Sequence, residues 1–95
     1  MEIESIRHKP LRRFFLEGNG RGLDGNLVGR LRNMLAYIVN AGDMDELIVP
    51  PNYGLHPLTG DRAGDWAMTV SKNWRMTFRL VDQQVIADLD LEDYH

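Results

Sequence analysis

The sequence predicts an α+β fold, with an N-terminal strand and two helices followed by an antiparallel, curved β-meander. Up to about residue 41, apolar residues recur every three or four positions, as in an amphipathic helix. After Pro50 and Pro51, apolar and polar residues alternate, as in strands with one buried face. Because 95 residues suffice for one small core, we expect residues 1–95 to form a single domain.

The first half of the chain opens with a short strand candidate, "IESI". "KPLRRFFLEG" then predicts a helix, with His8 capping its start, Pro10 in its first turn and Gly18 at its end. After the loop "GNGRG", Asp24 is placed to cap a second helix over 26–41. This helix carries the strongest apolar stripe in the chain, formed by Leu27, Leu31, Met34, Leu35 and Ile38. "DMDEL" predicts one further helical turn.

The meander is predicted from three alternating segments, "DWAMTV", "WRMTFRL" and "VIADLDL", separated by the short turns "SKN" and "DQQ". The helices should cover one face of the resulting sheet. We therefore expect a buried core that includes Leu31, Leu35, Ile38, Trp66, Trp74, Met76 and Phe78.

The other face of the sheet should carry charge. Arg75 and Arg79 lie opposite the apolar residues of "WRMTFRL". In the last strand, strict alternation places Asp88 and Asp90 opposite an apolar set formed by Val85, Ala87, Leu89 and Leu91. The two arginines then either pair with the aspartates across the hairpin or form a platform for an anion.

Composition excludes several classes of protein. The formal net charge of −3 argues against a plain nucleic-acid binder. The absence of cysteine is consistent with the cytoplasm. No apolar run approaches the ~20 residues of a membrane span, and the N-terminus lacks the apolar centre of a signal peptide. We therefore expect a cytoplasmic protein without a membrane anchor.

Two histidines are candidates for proton transfer near pH 7: His56, and His95 with Glu92, Asp93 and Tyr94 beside it. The candidates for binding phosphate are Arg62, Lys72, Arg75 and Arg79. Each has an ordinary alternative, since a histidine before proline is commonly a turn residue, a strand arginine is commonly an ion-pair partner, and a chain end is commonly a tail.

Neither a metal nor a cofactor is expected. "DLDLED" is acidic, but it lies on a predicted strand and lacks the loop geometry that calcium prefers. The histidines are too far apart in sequence for a usual zinc motif. "GNGRG" does not follow a strand with the spacing of a dinucleotide-binding loop.

Four stretches, taken in order, resemble the HigB-type toxins of the RelE/ParE superfamily of bacterial toxin–antitoxin systems. They are "SIRHKPLRRFFLEG" (5–18), "LHPLTGDRAGDW" (55–66), "NWRMTFRL" (73–80) and "LEDYH" (91–95). The resemblance covers nearly the whole chain, although the helix at 26–41 matches only in pattern. It implies a RelE-like fold.

The resemblance implies a ribosome-dependent endoribonuclease that cuts mRNA positioned in the decoding site. In this reaction a ribose 2′-OH attacks the adjacent phosphate, and the 5′ oxygen of the next nucleotide leaves. It assigns His56 and His95 to acid–base work in either order, and Arg75 to the scissile phosphate. Asp93 would orient or tune a histidine, and Tyr94 would stack on a base or position the 2′-OH. Further RNA contacts would come from Arg62, Lys72 and Arg79.

This chain departs from the HigB pattern where relatives often carry a basic residue, at Thr59 and Ser71. Both changes remove positive charge from the implied site. Because fold alone does not fix the function, two alternatives stay open: a ParE-like inhibitor that binds gyrase and cuts no RNA, and a degenerate toxin kept only as a partner of its antitoxin. The implied partner is a HigA-type antitoxin with a helix-turn-helix domain, which would provide any binding to operator DNA.

Overall fold

The computed structural model describes residues 1–49 and 53–94, and within them three helices pack on one face of a five-stranded sheet. The helices are α1 (Lys9–Glu17), α2 (Gly25–Asn40) and α3 (Met44–Leu47). The strands are β1 (Glu2–Ile3), β2 (His56–Pro57), β3 (Asp65–Thr69), β4 (Trp74–Asp82) and β5 (Val85–Asp93). The predicted α+β class, the two main helices and the meander are confirmed.

The sheet has the order β1-β5-β4-β3-β2. Strands β2 to β5 pair antiparallel, whereas β1 pairs parallel with β5, so the sheet is mixed. Sequence periodicity did not predict this parallel pair or the short strand β2. Neither strand exceeds two residues, which is too short for alternation to be visible.

The helix ends follow the predicted signals. The backbone N–H of Leu11 donates to His8 Nδ1 at 3.1 Å, and Gly18 ends α1 with a φ of 73°. The backbone N–H of Asn26 donates to Asp24 Oδ1 at 2.9 Å and caps α2. No helix within the described ranges is long and apolar enough to cross a membrane.

The core joins the apolar stripe of α2 to the inner face of β3, β4 and β5. All five predicted stripe residues of α2 are buried, as are Met76 and Phe78. The predicted full burial of Trp66 and Trp74 is wrong, because both are only partly buried and pack against the edge of the core. Each lies near the end of its strand, so part of each ring stays in contact with solvent.

A β-bulge in β5 breaks the predicted strict alternation. Thr77 pairs with Asp90 but Arg79 pairs with Ala87, so β5 has one more residue than β4 over this interval. Asp88 is the extra residue of the bulge, and its backbone is left-handed, with a φ of +55°. As a result the apolar residues that β5 contributes to the core are Ile86, Leu89 and Leu91, while Ala87 lies on the face of Arg79.

Candidate active site

The face of the sheet away from the helices carries two neighbouring rows of residues, set by strand register. One row runs from His56 on β2 through Ala67 and Thr77 to Asp90 on β5. The adjacent row consists of Thr69, Arg75 and Glu92. Residues paired across neighbouring strands project from the same face, so His56, Arg75 and Glu92 belong to one surface.

Glu92 is the centre of this surface. Arg62, from the turn at Gly60–Arg62, donates from Nη1 and Nη2 to the two carboxylate oxygens at 2.8 and 2.7 Å. Arg75 Nη2 donates to the same carboxylate at 3.4 Å, and the hydroxyl of Thr77 donates a short hydrogen bond to it. Three side chains from two elements thus converge on one carboxylate.

These contacts favour the charged form of Glu92. The hydrogen bonds from Arg62 lower the pKa of the Glu92 carboxyl from 4.5 to about 2; the Thr77 hydroxyl and the charges of Arg62 and Arg75 act in the same direction, and burial opposes them. The same pair raises the pKa of Arg62, mainly through its hydrogen bonds to Glu92. Asp65 adds a weaker contact to Arg62 Nε at 3.3 Å.

Arg75 has donors left over. Its side chain is 21% exposed, and its guanidinium lies over the ring of Tyr94, with Cζ 5.2 Å from the ring centroid. Its Nε is buried and has no hydrogen-bond partner within the described part of the chain. A guanidinium that makes one long hydrogen bond and one ring contact, and is partly exposed, is suited to donate its terminal N–H groups to an anion.

His56 lies on the exposed strand β2, and its Nδ1 is 2.8 Å from the carbonyl oxygen of Gly54. Since a carbonyl oxygen can only accept, Nδ1 is the nitrogen that carries a proton in this contact. In the neutral imidazole the lone pair is then on Nε2, which this hydrogen bond leaves unused. The histidine is thus a strand residue with a defined tautomer, and not only a turn residue.

The chain end follows β5. Tyr94 directly follows the last residue of β5, and its backbone N–H donates to the carbonyl oxygen of Asn73 at 2.9 Å. Asp93 pairs with Trp74, so alternation places its Cβ on the face away from Arg75. His95 lies outside the described residues. Of the predicted terminal trio, the fold brings the Tyr94 ring to Arg75 and sets Asp93 on the other side.

The three predicted RNA contacts are in different environments. Arg62 is engaged by Glu92 and Asp65. Arg79 is exposed and pairs with Asp88 at 3.3 Å, which confirms one of the cross-hairpin ion pairs considered from the sequence. The other pair is wrong, because the partner of Arg75 is Glu92. Lys72 is exposed in the β3–β4 turn.

Sequence reasoning gave too little weight to Glu92 and Thr77. The sequence indicates Glu92 only as a neighbour of the terminal residues, although it belongs to the "LEDYH" stretch and alternates with Leu91 and Asp93. Thr77 is 2% exposed despite lying between two arginines. A polar residue so deeply placed requires a partner, but the sequence does not identify it. In the described ranges, no group of three His, Cys, Asp or Glu side chains is arranged to hold a metal ion.

Comparisons with known proteins agree with this architecture. The family described as the RelE-like toxin of the type II toxin–antitoxin system HigB matches residues 4–95. Endoribonuclease HigB of Proteus vulgaris is 40% identical over 93 residues, which cover 98% of this chain and 99% of that protein.

Solved structures show the same fold at low sequence identity. A YafQ mutant from E. coli has a TM-score of 0.64 at 21% identity, over 98% of this chain and 92% of that one. A YoeB/ParE toxin from Agrobacterium tumefaciens has a TM-score of 0.56 at 14% identity, over the full length of both chains. The fold and the match over residues 4–95 together show that this chain belongs to the HigB family of RelE-like toxins of type II toxin–antitoxin systems.

Proposed function

We propose that this toxin is a ribosome-dependent endoribonuclease that cuts mRNA within the decoding site. The observation that carries the proposal is the guanidinium of Arg75, which contacts both Glu92 and the Tyr94 ring on the face of the sheet that also carries His56. The name of the Proteus vulgaris relative, an endoribonuclease, supports the same activity. The ribosome supplies substrate positioning that a chain of net charge −3 lacks.

The proposed reaction is a transfer within the RNA backbone. The 2′ oxygen forms a bond to the adjacent phosphorus, the bond from phosphorus to the 5′ oxygen breaks, and a 2′,3′-cyclic phosphate remains. His56 takes the 2′-OH proton on Nε2, since its Nδ1 proton is held by Gly54. His95 gives a proton to the leaving 5′ oxygen. This order of acid and base is what the Gly54 contact favours.

The other residues have supporting roles in the proposal. Arg75 binds the scissile phosphate and stabilises its developing charge. Tyr94 presents the ring face not used by Arg75 to a base. Asp93 lies two positions before His95 in the sequence and orients or tunes its imidazole. Lys72 and Arg79 contact the RNA backbone, whereas Arg62 acts mainly by holding Glu92.

The proposed partner is a HigA-type antitoxin with a helix-turn-helix domain, which would carry the operator-binding function. A solved neighbour is the E. coli DinJ–YafQ toxin–antitoxin complex, with a TM-score of 0.56 at 22% identity over 93% of this chain and 88% of that one. We further propose that residues 1–95 act as one domain. We also propose that the protein works in the cytoplasm, where its proposed substrate, mRNA bound to ribosomes, is found.

The test is a reconstituted translation reaction with a defined mRNA, in which new 5′ ends are mapped and the 3′ ends are analysed for cyclic phosphate. Wild-type protein should cut only mRNA that is bound to ribosomes. His56→Gln and His95→Gln should each slow cleavage by about 10²–10⁴-fold if both move protons in the rate-limiting step. An intact mRNA together with inhibited gyrase supercoiling would favour the ParE-like alternative, and inactivity in both assays would indicate a degenerate toxin.

A further inference from the structure

Arg30, which lies on α2 and outside every site considered so far, reaches the edge of the candidate active site. Its Nη2 donates to the carbonyl oxygen of Thr69 at 3.2 Å, across 39 positions of sequence. Its Cζ also lies 5.3 Å from the centroid of the Tyr53 ring. The side chain is half-buried, so both contacts are partly shielded from water.

Tyr53 is held from a second direction by the same helix. The ring of Tyr37 meets it edge to face, with the centroids 5.7 Å apart and the planes at 80°. The hydroxyl of Tyr37 in turn donates to the carbonyl of Glu46 at 3.1 Å. Arg30 and Tyr37 are seven residues, or two helical turns, apart and therefore share a face of α2. The side chains of Arg30 and Tyr37 therefore contact the Tyr53 ring from two directions and hold it against α2.

The segment that begins at Tyr53 leads directly to His56. Gly54, which follows Tyr53, has a φ of +56°, and a Cβ there would lie 3.2 Å from Thr69 Oγ1. The Gly54 carbonyl oxygen accepts the hydrogen bond from His56 Nδ1–H. Thr69 is also the cross-strand partner of Arg75. Tyr53 and Thr69, both in contact with Arg30, therefore adjoin the histidine and the arginine of the site.

We propose that Arg30 is a positioning residue, which holds Tyr53 and Thr69 so that the Gly54 carbonyl fixes His56 in its Nδ1–H tautomer. The kinetic consequence rests on the proposed ribonuclease function, whereas the tautomer can be observed without any activity. Arg30 does not touch RNA in this proposal. It acts by keeping Nε2 of His56 aimed at the position of the substrate relative to Arg75.

The first experiment is NMR of the imidazole nitrogens in protein labelled with ¹⁵N-histidine, with the His56 signals assigned by their loss in His56→Gln. In the neutral imidazole of His56, wild type should show Nδ1 protonated and Nε2 unprotonated. Arg30→Met, which removes the charge and the donor but keeps an apolar stem, should shift His56 towards a mixture of tautomers. Arg30→Lys should restore part of the wild-type pattern.

The matched control is Arg32→Met, two positions along the same helix. Arg32 is exposed and lies over Phe14, with Cζ 5.6 Å from that ring centroid, so its guanidinium faces α1. Arg32→Met removes the same charge from α2 as Arg30→Met and should leave the His56 signals unchanged. A shift of the His56 signals in both Arg30→Met and Arg32→Met would overturn the proposal. It would show that the tautomer depends on the total charge of α2 and not on the contacts of Arg30.

The second experiment measures cleavage of ribosome-bound mRNA. Arg30→Met should lower kcat by about 10–100-fold, the size expected for a catalytic group displaced by a fraction of an ångström to 1 Å, with KM changed by less than about twofold. If wild type proves to cut no RNA, the proposed function fails while the tautomer experiment still decides the role of Arg30.

Tyr53→Leu breaks the same contact from the other side and keeps Arg30, so it carries the test if Arg30→Met does not fold. It should produce the same mixed tautomers and the same fall in kcat. Unchanged His56 signals in a folded Arg30→Met or Tyr53→Leu protein would overturn the proposal, whatever the cleavage rate.

Discussion

Arg62 and Glu92 form a two-point ion pair, with distances of 2.8 and 2.7 Å, that ties the turn before β3 to the end of β5. The residues are 30 positions apart in sequence. The parallel contacts match the planar guanidinium to the planar carboxylate, which holds both groups in one orientation. Since Glu92 also contacts Arg75, the ion pair links the stability of the end of β5 to the position of the Arg75 guanidinium.

The first prediction concerns acid stability. The folded pKa of Glu92 lies below its unfolded value, so the folded state binds fewer protons and this group stabilises the protein above about pH 4.5. The contribution, at most about 3 kcal/mol, should be lost as the pH falls from 4.5 towards 2. Glu92→Gln should therefore be less stable than wild type at pH 7, and the difference should vanish near pH 2.

The measurement is urea unfolding of both proteins at several pH values between 2 and 7. Glu17→Gln is the matched control, because Glu17 is an exposed glutamate at the end of α1 for which the same change removes the same charge. A Glu92→Gln curve parallel to the wild-type curve over the whole range would contradict the prediction.

The second prediction separates Arg75 from Arg79, two arginines on the same face of β4. Arg75→Ala should reduce mRNA cleavage by about 10²–10³-fold, because it removes the donor assigned to the phosphate. Arg79→Ala should have an effect of less than about tenfold, since Arg79 is exposed and paired with Asp88. Cleavage rates at matched concentrations of folded protein test this, and equal losses in the two variants would assign Arg75 no special role.

The third prediction concerns the ring of Tyr94. Tyr94→Phe keeps the aromatic face over the Arg75 guanidinium and should cleave within about threefold of wild type, if stacking is its role. Tyr94→Ala removes the face and should weaken binding of the ribosome-bound mRNA, with a loss of about 1–3 kcal/mol from one base stack. The measurement is KM and kcat for both variants. A large loss in Tyr94→Phe would instead assign the function to the hydroxyl.

The fourth prediction uses the difference in burial between two aromatic residues. Phe78 is 1% exposed at the centre of the core, so Phe78→Ala should lower the free energy of unfolding by about 3–5 kcal/mol. Trp66 pairs with Phe78 across the strands but is only partly buried, so Trp66→Ala should cost less. Chemical unfolding followed by circular dichroism compares them, and the reverse order would contradict the burial described for the two rings.

Local sequence signals determined much of the fold. The apolar stripe of α2, the caps at His8 and Asp24 and the alternation of β4 all act within a few residues, so they can be read without knowledge of the partner elements. Alternation also placed Arg75 on the face opposite the core. The order of the quoted motifs then indicated the HigB family, and the comparisons confirmed it.

Tertiary structure alone decided how the side chains of the site are paired. The bulge at Asp88 shifts the register of β5, and that shift places Glu92 beside Arg75 and Thr77 while Asp88 meets Arg79. Local periodicity carries no information on such a shift, because a one-residue bulge changes the face of every residue beyond it. The parallel pairing of β1 and the contact of Arg30 with Thr69 likewise depend on residues distant in sequence, which meet only once the core has packed.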